Sequence, residues 1–600
     1  MKTYYKNLSQ FIQALDKAGE LKTVDEEVSA YLEISKLTDR ESKSPAGGKA
    51  LFFKKVRHSQ FPVATNLFGS NRRICMAMGV EDLNQLGDRI KDMIQIDPPE
   101  NLKDTLNLLP TALSIRNYFP RRSKMKIPPC QQVVHKGEAV DLTGLPVLHC
   151  WPKDAGPFVT LPLVFTKSLN TGKRNLGMYR LQVFDRHTTG MHWHIHKDGS
   201  HYFNEYRQAG KRMPVAVAIG ADPATIYAAT APLPRNLDEI ILAGFIRNRP
   251  VRMARCLTID MEVPAEAEFV LEGYVDPNEL RTEGPFGDHT GYYSLADEYP
   301  VFHVTALTHR KAPVYCATLV GPPPMEDCYL AKTTERLFLP LLQSVMPEIV
   351  DYWLPWEGVF HNIVIVSIRK EYPGHAQKII HGLWGQGQMG MCKAIVVVDH
   401  DIDPKNPLMV LKQFCSHFDA DSDLILSKGM LDVLDHASPI PQFGNKIGVD
   451  LTRRFPGEPA RRSDYGHQGL HDWEVDSLDG MDGISATRIF ELKKDTGHES
   501  MSDCAILFLC VQKSENRSGR YYAEKILAEK KLSGFRFILM FDLNIDLFNH
   551  SLLLWKLFNN VDPGRDLFIE GPRCVVDACK KIAADGHLRE WPDELTFDPT

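Results

Sequence analysis

The sequence predicts a mixed fold, α/β at both ends with a β-rich middle. Three observations predict it. Strand-like runs and helical stripes are interspersed near the start and alternate again after Pro324. From about residue 116, short β-type runs follow one another with Gly and Pro between them. After residue 360 a pattern occurs twice. AlaIleValValValAsp at 394–399 returns as IleLeuMetPheAsp at 538–542, and Asp423-Leu424 returns as Asp566-Leu567; both pairs of aspartates (399 to 542, 423 to 566) are 143 apart. This implies a duplicated α/β unit, 360–437 and 503–580. The resulting division is 1–115 (α/β), 116–330 (β), 331–460 (α/β) and 461–600, a second α/β copy with a structural or oligomeric role.

Taken in order, residues 3–45 read as helical, with Leu8, Phe11, Ile12 and Leu15 on one stripe. Gly47-Gly48 breaks into a strand at 50–53; 63–69 is another strand, and 79–93 is helix. Pro98-Pro99 and Pro110 read as linkage. Strands of the middle region fall at 131–135, 161–169, 215–219, 253–257, 269–275, 301–309 and 314–320, with covering helices at 200–209 and 237–246. Barrel and sandwich both fit such a run.

Composition excludes little. At 600 residues, 43% hydrophobic and 24% charged, the chain has ordinary globular usage. A net charge of -6 gives no electrostatic case for nucleic acid. No apolar run reaches membrane-span length. Twelve cysteines without a framework suit a reducing cytosol, and Cys574 and Cys579 have no second pair beside them for zinc.

The stretch 175–201, NLGMYRLQVFDRHTTGMHWHIHKDGSH, is the most informative. It reads as two strands about a turn at 185–190. Met178, Arg180, Gln182 and Phe184 share one face of the first, and Tyr179, Leu181 and Val183 the other. His192, His194 and His196 recur at period two on the second, so three imidazoles project from one face. Such a face suits a divalent metal, an anion or both; a solvated strand is the plain alternative. Small residues at 228–234 (AATAPLP) permit close approach to a ligand, and Asp238 and Glu239 stand near a helix start, where the dipole alone explains them. In EGPFGDHTG (283–291), Glu283 and Asp288 are held near each other, one of them protonated near neutral pH, while Arg180 pairs with one to keep it ionised. That arrangement suits proton delivery. The acidic strand end Asp399, Asp401, Asp403 fits a cation less well than plain solvation.

These motifs together, NLGMYR (175–180), MHWHIH (191–196), APLP with Glu239, and EGPFGDHTGYY (283–293), resemble the UbiD family of decarboxylases, over roughly 1–460. The resemblance implies a central split-β-barrel-like domain that binds prenylated FMN, and non-oxidative, reversible decarboxylation of an aromatic or conjugated acid. It implies Asn175, His196 and Glu239 as ligands of Mn2+ or a similar divalent cation that holds the cofactor phosphate. Met178, Tyr179 and Arg180, with His192, Trp193, His194, Lys197 and Asp198, would contact the cofactor. Arg180, Glu283 and Asp288 would form the catalytic triad, with Asp288 the proton donor. Ala228–Pro232 resembles a K+-carrying turn. A flavin prenyltransferase would supply the cofactor, and a homo-oligomer is expected. The length resembles a branch acting on menaquinone or ubiquinone precursors, in the cytoplasm and peripheral to a membrane if the substrate is prenylated. His192 and His194 depart from an Arg and an apolar residue of the family, and Lys197-Asp198 from Arg-Gly. Lys446 could reach the cofactor, though a surface lysine explains it as well. Two other readings are a zinc hydrolase, with His192, His194 and His196 on the metal and Glu283 activating water, and a non-catalytic scaffold.

Overall fold

The structure is a computed structural model that describes residues 4–95, 115–193, 198–461, 483–492, 504–533, 535–571 and 573–597. It falls into two compact units, residues 1–337 with 593–600, and residues 338–592.

In the first unit, Asn7 caps the helix Leu8–Lys17 by accepting from the Gln10 amide, and the predicted stripe Leu8, Phe11, Ile12, Leu15 is its buried face. The single helical stretch over 3–45 is corrected. Gly19 turns the chain at φ +71°, Leu21–Val28 is a strand, and only Glu33–Ser42 returns to helix. That strand hides because it is a sheet edge, mostly exposed and rich in Lys, Asp and Glu. It runs parallel to Ala50–Val56, followed in the sheet by Val63–Thr65 and Tyr315–Cys316. The expected strand at 314–320 therefore serves the amino-terminal sheet. The expected helix at 79–93 begins only at Asn84 and runs to Ile94; a separate helix that was not expected, Asn71–Met78, precedes it and ends at Gly79 in the left-handed region. Pro98, Pro99 and Pro110 lie outside the described residues.

The middle region is an antiparallel sheet in the order Thr188–Gly190, Asp297–His309, Phe269–Glu283, Met213–Ile219, Pro162–Lys167, Arg174–Gly177, with Val133–Lys136 paired to Asp297–His309. Among the described residues its first and last strands do not pair. Val215 to Ile219 are buried on both faces, so the middle of the sheet is covered on each side. Helices Asp198–Gln208 and Glu239–Arg247 stand where sequence placed them.

The second unit holds the duplication. One sheet has the order Ile349–Trp353, Ile363–Ile368, Ala394–Asp399, Phe443–Asp450, Leu424–Met430; the other has Ile484–Leu492, Cys504–Val511, Phe537–Asp542, Arg573–Asp577, Leu567–Glu570. In both, the outer pairs are antiparallel and the inner pairs parallel. Buried ion pairs repeat as well. Lys370 meets Glu458 at 2.6 Å and Asp450 at 3.8 Å; Lys513 meets Asp585 at 2.5 Å and Asp577 at 2.9 Å.

The two copies share one apolar core, Ile363, Ile365 and Val398 from the first with Ile506, Phe508 and Phe541 from the second. They also exchange helices. Phe414, on Pro407–His417 of the first copy, packs against Phe537 with centroids 4.4 Å apart and planes tilted by 45°, and Arg536 Nη1 donates to the Cys415 carbonyl at 2.9 Å. In return, His550–Asn560 of the second copy presents the Phe558 carbonyl to Asn362 Nδ2, and the Val561 carbonyl beyond it accepts from Lys393 Nζ at 3.0 Å. The acids 399–403 are matched by protein, since Asp399 accepts the Arg453 amide and Asp401 pairs with the Arg453 guanidinium. Cys574 and Cys579 are buried free thiols. Lys446 is not a surface lysine: it is buried and donates to the Gly390 carbonyl.

Candidate active site

Three elements of the first unit converge on Arg180. The strand Arg174–Gly177 ends before it, and residues 178–180 leave the ladder before Leu181–Gln182 rejoins one. The break is built into Gly177, where an added Cβ would lie 2.4 Å from the Tyr179 ring, so Tyr179 folds back over bare backbone. The predicted continuous strand over 178–184 is corrected accordingly. Likewise, the strand after the turn is only Thr188–Gly190, and 191–193 are not in strand. His194, His196 and Lys197 lie outside the described residues.

Arg180 holds both carboxylates of the 283–291 loop. Its Nε donates to Glu283 Oε1 at 3.0 Å, Nη1 pairs with Asp288 Oδ2, Nη2 donates to Ser294 Oγ at 3.0 Å, and its guanidinium lies 4.7 Å from the Phe286 ring centroid. His192 Nδ1 is 2.7 Å from Glu283 Oε1, and its ring lies 4.2 Å from Tyr299. His289 Nδ1 is 2.9 Å from Asp288 Oδ1.

Burial, the largest single effect, pushes both carboxyls up, and the Arg180 guanidinium together with the neighbouring histidines more than cancels it. Glu283 ends below the ordinary carboxylate range and Asp288 well below it, with His192 and His289 adding to the effect. The expectation that one acid is protonated near neutral pH is therefore corrected: one guanidinium serves both, and both are ionised. Burial and then Arg180 push His192 down, so its imidazole is neutral, with Nδ1 held 2.7 Å from Glu283 Oε1.

The loop itself is pinned by Asp154. Its Oδ1 accepts the Gly287 amide at 2.7 Å, and its Oδ2 accepts the amides of Cys150 and Trp151 at 3.0 and 2.9 Å. Burial lifts Asp154 to about 7 in spite of these donors. Nothing in the spacing of WPKD (151–154) marks this residue; Ser294 and Phe286 were equally hidden, although both stand inside or beside the motif that was read.

The residues expected at a metal and cofactor are partly assembled. Asn175 and Glu239 are both buried, and Glu239 Oε2 accepts the Leu176 amide at 2.8 Å, which brings its carboxylate beside the strand carrying Asn175. Asp238 caps the helix that Glu239 begins. Oxygen donors of this kind fit a divalent cation. Among the described residues no three of His, Cys, Asp and Glu cluster for a metal. Tyr179 and Trp193 face Gly199, where an added Cβ would lie 2.8 Å from Trp193 Nε1 and 3.3 Å from Tyr179. The indole N–H is buried and meets no acceptor among the described residues, a donor suited to a bound polar group such as a flavin phosphate or ring edge. Met178 is half-buried, and Asp198 opens the helix Asp198–Gln208. In the 228–234 turn, the Ala228 and Ala231 carbonyls accept backbone hydrogen bonds from within the turn.

Three family models match in order along the chain: the 3-octaprenyl-4-hydroxybenzoate carboxy-lyase N-terminal domain at 12–90, its Rift-related domain at 121–323 and its C-terminal domain at 328–451. The chain belongs to the UbiD family. Its enzyme class is that of the UbiD carboxy-lyases, which displaces the hydrolase and scaffold readings. Among UbiD relatives, an uncharacterised protein of Archaeoglobus fulgidus is 47% identical over 460 residues, 76% of this chain and 94% of that one. An uncharacterised protein of Helicobacter pylori strain J99 is 37% identical over 604 residues, 98% of this chain and 94% of that one. Two solved UbiD-class folds are similar. Vanillic acid decarboxylase of Sedimentibacter hydroxybenzoicus, in closed form, has TM-score 0.68 and 25% identity over 80% of this chain and 98% of that one. HmfF of Pelotomaculum thermopropionicum, in complex with FMN, has TM-score 0.64 and 28% identity over 77% and 97%. An evolved dimeric HmfF is known in complex with prenylated FMN.

Proposed function

We propose that this chain decarboxylates an aromatic or conjugated carboxylic acid, non-oxidatively and reversibly, with prenylated FMN. The observation that carries the reading is the buried Arg180 holding Glu283 and Asp288 at once, beside the elements that bear Asn175, Glu239, Tyr179 and Trp193. Prenylated FMN, when bound, supplies an electron sink for the carbanion character that develops as CO2 leaves. Asn175, Glu239 and His196 would hold Mn2+ against its phosphate, and Tyr179, Met178, Trp193, His194, Lys197 and Asp198 would contact it.

Arg180 orients the acid. An incoming carboxylate competes for the guanidinium, which weakens its pair with Asp288 and raises that carboxyl toward the range where it takes a proton. His289, 2.9 Å away through Nδ1, offers a route for it. Asp288 then protonates carbon after CO2 departs. Glu283 stays ionised between Arg180 and His192 and fixes both side chains. Tyr299 and Phe286 wall the cluster and exclude water from it.

A quinone precursor, of menaquinone or ubiquinone type, is the substrate class we favour, with the enzyme cytoplasmic and peripheral to a membrane when that precursor is prenylated. In this reading 116–330 is the cofactor domain, 1–115 and 331–460 flank it, and 461–600 is a structural copy. A flavin prenyltransferase supplies the cofactor, K+ sits at the 228–232 turn, and the chain forms a homo-oligomer.

The test is production with a flavin prenyltransferase, followed by cofactor mass, metal content and CO2 release from a panel of aromatic acids. Asp288→Asn should keep cofactor and metal and release no CO2; turnover at the parent rate ends its proton-donor role. Glu239→Ala should lose metal and flavin together, and full occupancy in that variant removes it from the ligand set.

A further inference from the structure

The loop that carries Asp288 is not held by its own neighbourhood alone. It forms a small hairpin, Phe286–Gly287 against Tyr293–Ser294, closed by the Asp288 amide on the Tyr292 carbonyl at 3.1 Å and the Gly291 amide on the Asp288 carbonyl at 3.0 Å. An extended segment then lies along its outer edge through a single β-bridge, and it comes from residues 593–595, some three hundred positions later in the chain. The Tyr293 amide donates to the Asp593 carbonyl at 3.0 Å, the Leu595 amide donates to the Gly291 carbonyl at 2.9 Å, and Tyr292 bridges Glu594 antiparallel.

Side chains complete the grip. Leu595 is buried, and with Trp151 it presses on Gly287: an added Cβ there would lie 2.2 Å from Trp151 Cδ1 and 2.9 Å from Leu595 Cδ2. Phe597 stacks on Trp151 with centroids 4.4 Å apart and planes at 25°. Trp151 is itself fixed by Nε1 donating to the Val320 carbonyl at 2.9 Å, and its amide is one of the three that Asp154 accepts while it holds Gly287. Asp593 adds an exposed ion pair with Lys153 at 2.7 Å, which contributes little.

We infer that the segment Asp593–Phe597 is a positioning element of the site: as a strap across the 286–293 hairpin it keeps Asp288 in register with Arg180. The physical reason is local. Five loop residues between two short strands gain two internal backbone hydrogen bonds, with local ones to the Asp288 and Thr290 side chains, a modest set against the conformational entropy of fixing the turn. The strap adds two backbone hydrogen bonds and, through Leu595, apolar cover over Gly287 beside that of Trp151. Residues 593–597 meet the loop at Gly287, Gly291, Tyr292 and Tyr293, on either side of Asp288, so their grip on Asp288 is exerted through the loop. The kinetic part of the inference rests on the proposed role of Asp288; the structural part does not.

Two full-length variants test it: Leu595→Ser with Phe597→Ala, and Phe597→Tyr as the conservative control that keeps the stack. Hydrogen exchange of the Asp288, Gly291 and Tyr293 amides is read alongside cofactor content, thermal midpoint, kcat and KM. The double variant should speed exchange at these amides at least tenfold, keep its cofactor, and lower kcat about tenfold with KM nearly unchanged. Phe597→Tyr should behave as the parent. Unchanged exchange in the double variant overturns the strap. Faster exchange with parental kcat overturns its positioning role. A parent protein that decarboxylates nothing refutes the proposed reaction instead, and the exchange result still decides the strap.

Discussion

Replacing Arg180 by Met tests the central electrostatic argument. The side chain fills similar space but leaves Glu283 and Asp288 buried with no guanidinium between them; the three side chains are 9%, 0% and 10% exposed. Removing one partner of a buried ion pair costs about 3–5 kcal/mol. His192, released from Arg180, can take a proton beside Glu283 and hold the loss toward the lower end. For a unit of this size, with an unfolding entropy of roughly 0.7 kcal/mol/K, that loss lowers the midpoint by about 4–7 °C at pH 7. The pH dependence carries the sign. In the parent both carboxyls are depressed, so their stabilisation is present above the ordinary carboxylate range and is lost as pH falls through their folded values. In the variant burial is unopposed and both are raised, so stability is fully present below the unfolded values and declines as pH rises. The gap between parent and variant is widest at neutral pH and narrows toward pH 4. Scanning calorimetry from pH 4 to 8 measures it. Equal midpoints at pH 7, or a gap that widens in acid, would refute the shared-guanidinium account.

Two further outcomes follow from packing. Gly190→Ala puts a Cβ 2.7 Å from Glu283 Oε2, which Arg180 and His192 prevent from retreating; overpacking of about 1–3 kcal/mol should appear as roughly a tenfold fall in kcat, and parental kinetics would mean that Glu283 is free to shift. Lys393→Met strands the buried Asp435, whose carboxyl burial raises and Lys393 brings below normal, and removes the donor to the Val561 carbonyl; the melting transition assigned to residues 338–592 should fall by several degrees at pH 7 and less in acid.

Much of this architecture is legible in the chain. The long central strands show because Val, Leu, Phe and Ala crowd them, and the duplication shows because strand ends repeat an aspartate at one spacing. The edge strand Leu21–Val28 does not show, since its charged residues face water and carry no alternation. Arg180, Glu283 and Asp288 could be gathered from motif and resemblance, and they do meet. Their protonation could not, because it depends on one guanidinium reaching both acids. His192 was visible as a histidine at period two, but its partner is Glu283, set by a chain break at 178–180 that Gly177 permits. Asp154 and the 593–597 strap left no signal; the partners they hold are largely backbone amides and carbonyls, which every sequence possesses.

The paired α/β copies have a consequence for what this part of the protein must withstand. Two like modules that bury a common face normally form a dimer, and a dimer comes apart on dilution. Here the two modules belong to one chain, so the joint is intramolecular and has no dependence on how much protein a cell makes. It is also released from symmetry. A substitution in a true homodimer is felt twice across the axis, whereas here Lys446 of one copy has Arg573 at the equivalent strand position of the other, each buried and each donating to a backbone carbonyl of its own copy.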